Sequence, residues 1–339
     1  MIEGSRRRAL FPRALFIALT SALLLSFGTW LVAVDSLRTA AKTVLLLGDS
    51  NVANFRLLEG DRLEDRLGAD LGPGWVVRNW GEVGADPADQ YLALCRAETL
   101  RFHPDVVVLV LSPHAFIPDT TNWGHRLREN GDGLRWIPWN AEGYRFFGTL
   151  SPDEKKKAVV RAVDPIFGFY DGYLAWNAHS DWPRLRREMA ARSPELQTII
   201  VHEYSRLISK WLDEHLDIGA YEDFAARPNA RDFGFFTEAV TARKIPFLTV
   251  VLPEAAPDVL SRSFSEKTRA TLETSYAYTV RYLSEHHAEY LDYNTPVERT
   301  KFDASMFGDH YHLKSPAAYR YLADGVAAWI GRRTQPRGT

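Results

Sequence analysis

Three short stretches carry residues able to do nucleophilic chemistry. TVLLLGDSN (43–51) ends an apolar run on Gly-Asp-Ser-Asn, which sets Ser50 in a turn. FGDHYHLKSP (307–316) places Asp309 three residues before His312. A serine hydroxyl is a weak nucleophile; it needs a base to take its proton and an acid to orient that base. The Asp309–His312 spacing lets one segment supply both, with the carboxylate fixing the imidazole tautomer. His310 competes for the base's role, but the residue next to Asp309 is harder to bring onto the same carboxylate. Each stretch also has an ordinary reading. Gly, Asp, Ser and Asn are the residues turns favour, and an aspartate before a helix can simply cap it.

Acyl chemistry further needs donors aimed at a developing oxyanion. NWGEVGAD (79–86) supplies glycines where a backbone N–H can approach a ligand closely. Gly81 and Gly84 are both candidates, and a tight strand-to-helix turn is the alternative.

The elements that must hold these residues follow from periodicity. TVLLL (43–47) and DVVVLVL (105–111) are continuous apolar runs, as expected of strands buried on both faces. WVVRNW (75–80), IPFLTVVLP (245–253) and EYLDYN (289–294) add three more strands. Helical patterns around 59–71, 87–100, 264–286 and 315–330 alternate with them. The alternation predicts an α/β fold with a three-layer, doubly wound parallel sheet. Ligands bind such sheets at the carboxyl ends of the strands, where Ser50 stands. Residues from about 112 to 240 break the rhythm and predict a long helical insertion or cap. Six of the ten tryptophans lie in it, Trp123 to Trp211. Those side chains either stack on sugar rings, face a membrane or partner, or build the insertion's own core.

The N-terminus predicts a membrane anchor. Arg6, Arg7, Arg8 and Arg13 precede residues 14–34, which carry no charge. The span matches the roughly 20 apolar residues that cross a bilayer, and Leu31-Val32-Ala33 is a poor cleavage site. Preceding arginines place residues 1–13 in the cytoplasm, and Trp30 suits the far interface. The expectation is a single-pass signal anchor over 14–34, a linker at 35–42, and a periplasmic or extracellular domain over 43–339.

In order and placement, the three stretches resemble the SGNH, or GDSL, hydrolase family. The likeness covers 43–111 and about 245–332, with a flavodoxin-like sheet implied. Gly48-Asp49-Ser50 matches the first block, which holds the nucleophile. Asn79 to Gly84 matches the second, where Gly84 would donate its N–H to the oxyanion beside that of Ser50. Asp309 to His312 matches the last and would complete the triad. At the third block the family has an asparagine, and this chain has His114 in LSPHAF. An imidazole N–H can donate as an amide does, in one tautomer or when protonated. Asp49, Asn51, Trp136 and Trp139 are the candidate substrate-binding residues.

A net charge of −2 on 339 residues argues against a nucleic-acid partner, and Cys95, the one cysteine, has no partner for a disulfide. Neither a metal nor an organic cofactor is implied. Three functions stay open. The first is an anchored acyl-ester enzyme acting on a cell-envelope or secreted polysaccharide. It is similar to proteins that work beside membrane-bound O-acyltransferases, of the alginate-acetylation or teichoic-acid D-alanylation type. The second is a free-standing esterase or lipase, and the third a silent scaffold for glycan or an acyltransferase.

Overall fold

KTVLLLG (Lys42–Gly48) forms the central strand β1, buried at every residue after Lys42. A strand that loses water on both faces needs apolar residues in succession, not in alternation. The computed structural model describes residues 37–53, 60–81, 85–113, 115–116, 218–255, 264–308 and 312–334. Isolated positions from 20 to 35, from 147 to 155 and at 260 are also described. After β1 come α1 (Ser50–Ala53), α2 (Leu63–Leu71), β2 (Trp75–Asn79), α3 (Pro87–Thr99) and β3 (Val106–Leu111). The chain resumes with α4 (Tyr221–Ala225), α5 (Pro228–Ala242), β4 (Phe247–Val251) and α6 (Glu266–Glu285). It closes with β5 (Tyr290–Asp292), α7 (Pro296–Arg299), a 3₁₀ turn (Ala304–Met306) and α8 (Pro316–Thr334).

All five strands are parallel, in the order β2-β1-β3-β4-β5. Alternate residues of β1 feed opposite cores. Val44 and Leu46 join Val106, Val108 and Val250 under α2 and α8. Leu45 and Leu47 join Val107, Leu109 and Leu111 under α3, α5 and α6. The result is the three-layer, doubly wound arrangement that the alternation predicts. In this strand order the chain leaves β1 toward one edge and later crosses to β3 on the other side. The crevice at the switch point therefore opens at the carboxyl ends of β1 and β3.

The stretch expected as an insertion, about 112–240, overlaps the framework at its C-terminal end. Phe233, Phe236, Ala239 and Val240 of α5 are buried in the second core beside α3. That helix is the crossover a parallel β3-to-β4 connection requires.

The described positions from 20 to 37 are helical. Among the described residues no helix is long and apolar enough to cross a membrane. Most of 14–34, the expected anchor, lies outside them.

Candidate active site

β1 ends at Gly48, and the chain turns at once into α1. A Cβ on Gly48 would stand 2.5 Å from Cγ2 of Val52 and 2.8 Å from the carbonyl oxygen of Val110. Only glycine lets α1 sit so close to the ends of β1 and β3. The Asp49 carbonyl accepts from the N–H groups of Val52 (3.0 Å) and Ala53 (2.9 Å). Its carboxylate accepts from the backbone N–H of Asn51 at 2.9 Å and from Asn51 Nδ2 at 3.3 Å. This turn holds Ser50 as the first residue of α1, at the switch-point end of the sheet. The N–H groups of a helix's first turn have no acceptor within the helix, so the Ser50 N–H suits an oxyanion donor.

The partner comes from the other end of the chain. Ser50 Oγ and His312 Nε2 are 2.6 Å apart across 262 positions of sequence. Each residue is only 7% exposed. Three contacts hold the turn that carries His312. Phe307 and Leu313 form an antiparallel bridge, Gly308 N–H donates to the His312 carbonyl at 2.7 Å, and Lys314 N–H donates to the Met306 carbonyl at 2.8 Å.

One further bond joins that turn to α1 directly, and a hydroxyl from α8 lies between the two. Leu313 N–H donates to Asn51 Oδ1 at 3.0 Å. The buried Tyr319 hydroxyl lies 3.0 Å from the Asn51 carbonyl and 3.4 Å from that of Leu313. The Asn51 side chain is buried and bonded to Asp49 and Leu313, which ties the turn that carries His312 to the turn that carries Ser50. Nothing in the sequence marks Tyr319 for this work beyond its place in the first turn of α8.

Burial raises the Asp49 carboxyl above its ordinary value, against the lowering pull of the Asn51 bonds and of the His312 charge. The Asp49 carboxylate is thus engaged by Asn51 and interacts electrostatically with His312.

The second glycine-bearing loop also touches α1. Trp80 N–H donates to the Leu46 carbonyl at 2.9 Å, which ends β2 alongside β1. A Cβ on Gly81 would lie 2.5 Å from Cγ1 of Val52 and 3.1 Å from Ala53 N. One valine is thus held between two glycines, Gly48 and Gly81. At the loop's far end Asp86 and Asp89 form a reciprocal cap, each side chain accepting from the other's N–H at 3.0 Å. Both described ends of the loop are therefore fixed. Gly84, His114, Asp309, His310, Trp136 and Trp139 lie outside the described residues. Among the described residues no group of three or more His, Cys, Asp or Glu could hold a metal ion.

No known family's sequence profile matches this chain, and no curated protein matches it. Some solved structures are similar to it at low identity. A carbohydrate acetylesterase from Sinorhizobium meliloti is 13% identical over 86% of this chain and 99% of that one, with a TM-score of 0.36. An aryl esterase from M. smegmatis is 11% identical over 86% and 99%, with a TM-score of 0.37. A member of the lipolytic G-D-S-L family from Veillonella parvula is 10% identical over 88% and 100%, with a TM-score of 0.36. Likeness at this level carries no argument about function, which rests on the site.

Proposed function

We propose that this chain is a serine acyl-ester enzyme of the SGNH type, anchored by residues 14–34 and acting on the acyl groups of an extracytoplasmic polysaccharide. The observation that carries the reading is the buried Ser50–His312 pair at the switch point of the sheet. With its proton on Nδ1, His312 accepts the Ser50 proton at Nε2 as Oγ attacks an acyl carbonyl. Asp309, three residues upstream, is the carboxylate assigned to that Nδ1–H. The tetrahedral oxyanion is met by the N–H groups of Ser50 and Gly84 and by the His114 ring. Collapse expels the donor's alcohol, which leaves with the proton His312 returns. A glycan hydroxyl or water then gives its proton to His312 and attacks the Ser50 ester; collapse leaves the acyl group on the glycan oxygen, or frees it as the acid, and His312 returns the proton to the departing Ser50 Oγ.

Leu24, Phe27, Leu31 and Val32 are exposed apolar side chains on the N-terminal helical stretch, as an anchor would present them. Val34 and Leu37 are packed at its end, so the domain would stand close to the bilayer. N-terminal sequencing of the mature protein tests the anchor, which fails if the chain starts between Asp35 and Lys42. Trp136 and Trp139 are assigned to the glycan. Replacing both should weaken transfer to polysaccharide and spare turnover of a small ester; equal loss of both activities refutes that assignment.

The central test is intact-mass spectrometry of the detergent-solubilised full chain after exposure to p-nitrophenyl acetate. One acetyl adduct, mapped to Ser50 and absent from Ser50→Ala, is the expected result. An unmodified wild-type chain that releases no nitrophenol would favour a silent scaffold.

A further inference from the structure

Beside the nucleophile lies a polar junction that the acyl-transfer scheme does not use. Asn79, the last residue of β2, donates from Nδ2 to the Val52 carbonyl at 2.7 Å. The same nitrogen donates to Glu64 Oε2, on α2, at 2.9 Å. Its Oδ1 accepts from the Gly81 N–H at 2.8 Å. An amide nitrogen has two hydrogens and here faces two acceptors, while the oxygen faces a donor. Exchanging N and O would set oxygen against a carbonyl and a carboxylate, so the partners fix the orientation of the side chain. Glu64 is the only one of these groups that reaches Asn79 from outside the two segments it joins. It is half-buried, on the first turn of α2, and burial raises its carboxyl.

We propose that Glu64 and Asn79 are positioning residues, locking the end of β2 onto the nucleophile's helix and so setting where Gly81 and the chain after it stand relative to Ser50. The lock acts through Val52. Asn79 holds the carbonyl of that residue while Gly81 packs against its side chain, two residues beyond Ser50. Gly84, the donor assigned to the oxyanion, follows Gly81 by three positions. An oxyanion donor works only when it is held in place before the charge develops. Because a hydrogen bond needs its heavy atoms within about 3 Å, even a small shift of the Gly81 strand end would misaim the donors that follow. The inference rests on the proposed acyl-enzyme function and deepens it by naming what sets the donor geometry.

The experiment compares turnover of p-nitrophenyl acetate, Ser50 acetylation and Tm for the wild-type full chain and its variants. Glu64→Leu removes the acceptor and should lower kcat by about 100-fold, with KM little changed. Glu64→Asp should fall in the same way, because its shorter stem draws the carboxylate off Asn79. Glu64→Gln keeps an acceptor oxygen for Nδ2 and should stay within a few-fold of wild type. Asn79→Asp places oxygen against both the Val52 carbonyl and Glu64, and should fall like Glu64→Leu. Adding Glu64→Gln to Asn79→Asp offers the new carboxylate an N–H on the Glu64 side alone, so it should recover part of the lost kcat and not all, because the Val52 carbonyl still lacks its donor; a double-mutant cycle reads that coupling directly. Wild-type kcat in Glu64→Leu, or in Glu64→Asp should the leucine variant not fold, overturns the positioning role. So does the same loss in Glu64→Gln. A wild-type chain that never acetylates at Ser50 overturns the functional reading itself, and the positioning role with it.

Discussion

Leu313 N–H donates to Oδ1 of Asn51 at 3.0 Å, so the residue after His312 is bonded to the residue after Ser50. The bond ties the backbone beside His312 to the side chain beside Ser50, so the distance between the pair does not rest on their own two side chains alone. Asn51→Ala would leave the buried Leu313 N–H without its acceptor, at a cost of about 1–3 kcal/mol. It would also free the His312 turn, and kcat should fall by up to about 100-fold with a smaller change in KM. Chemical denaturation and steady-state kinetics on a small ester measure the two effects. Loss of stability with unchanged kcat would show that Asn51 holds the fold and not the pair.

Ser50 and His312 should behave as one catalytic unit. Ser50→Ala and His312→Ala should each reduce turnover by roughly 10⁴-fold or more, and the double variant should be hardly worse than either. The hydroxyl is inert without the base, and the base has no other proton to take. Rates of nitrophenol release for the four proteins decide it. Losses that multiply would mean that each group acts alone and that the 2.6 Å contact is incidental.

Asp49 predicts a dependence of stability on pH. Its carboxyl is raised on folding, chiefly by burial. A folded state that holds the proton more tightly than the unfolded chain is favoured below the unfolded carboxyl's value. It loses that advantage as pH rises through the folded value. Ionised Asp49 therefore costs stability at neutral pH, and Asp49→Asn should raise Tm there while its gain shrinks toward pH 4. The same variant should lose activity, because the buried carboxylate no longer faces the imidazolium formed when Ser50 gives up its proton. Calorimetry from pH 4 to 8 checks the sign. A lower Tm for Asp49→Asn at pH 7 would mean that the Asn51 bonds and the His312 charge outweigh burial.

His114, at the position where the resembled family carries asparagine, should supply an oxyanion donor. Losing one such donor typically costs about 100- to 1000-fold in turnover. His114→Ala should fall in that range, whereas His114→Asn should retain most activity because its amide also donates. Alanine activity equal to wild type would leave the oxyanion to backbone donors alone.

How much of this was legible in the sequence depended on the range of the interaction that decides each feature. The strands were readable because burial on both faces forces continuous apolar runs, as in Val106–Leu111, and the helices between them implied parallel pairing. The glycines at 48 and 81 stood out as turn residues, but their reason did not: both make room for Val52, a contact set by packing. The helix Pro228–Ala242 was missed as framework because its amphipathic pattern looks the same in a cap as in a crossover; only its burial against α3 separates them.

The sequence by itself determined the chemical types and their order along the chain: a serine in a Gly-Asp-Ser turn after a buried strand, and a D-x-x-H turn before the last helix. Those are local facts, written by turn preference and by period. Only the tertiary structure decided that Ser50 and His312, 262 positions apart, meet at hydrogen-bond distance. It also decided that the Asn51 side chain meets the Leu313 N–H, and that Glu64 of α2 meets Asn79 at the end of β2. Such pairings depend on which strands lie side by side, and strand order is fixed by the packing of the whole sheet, where no short stretch records it.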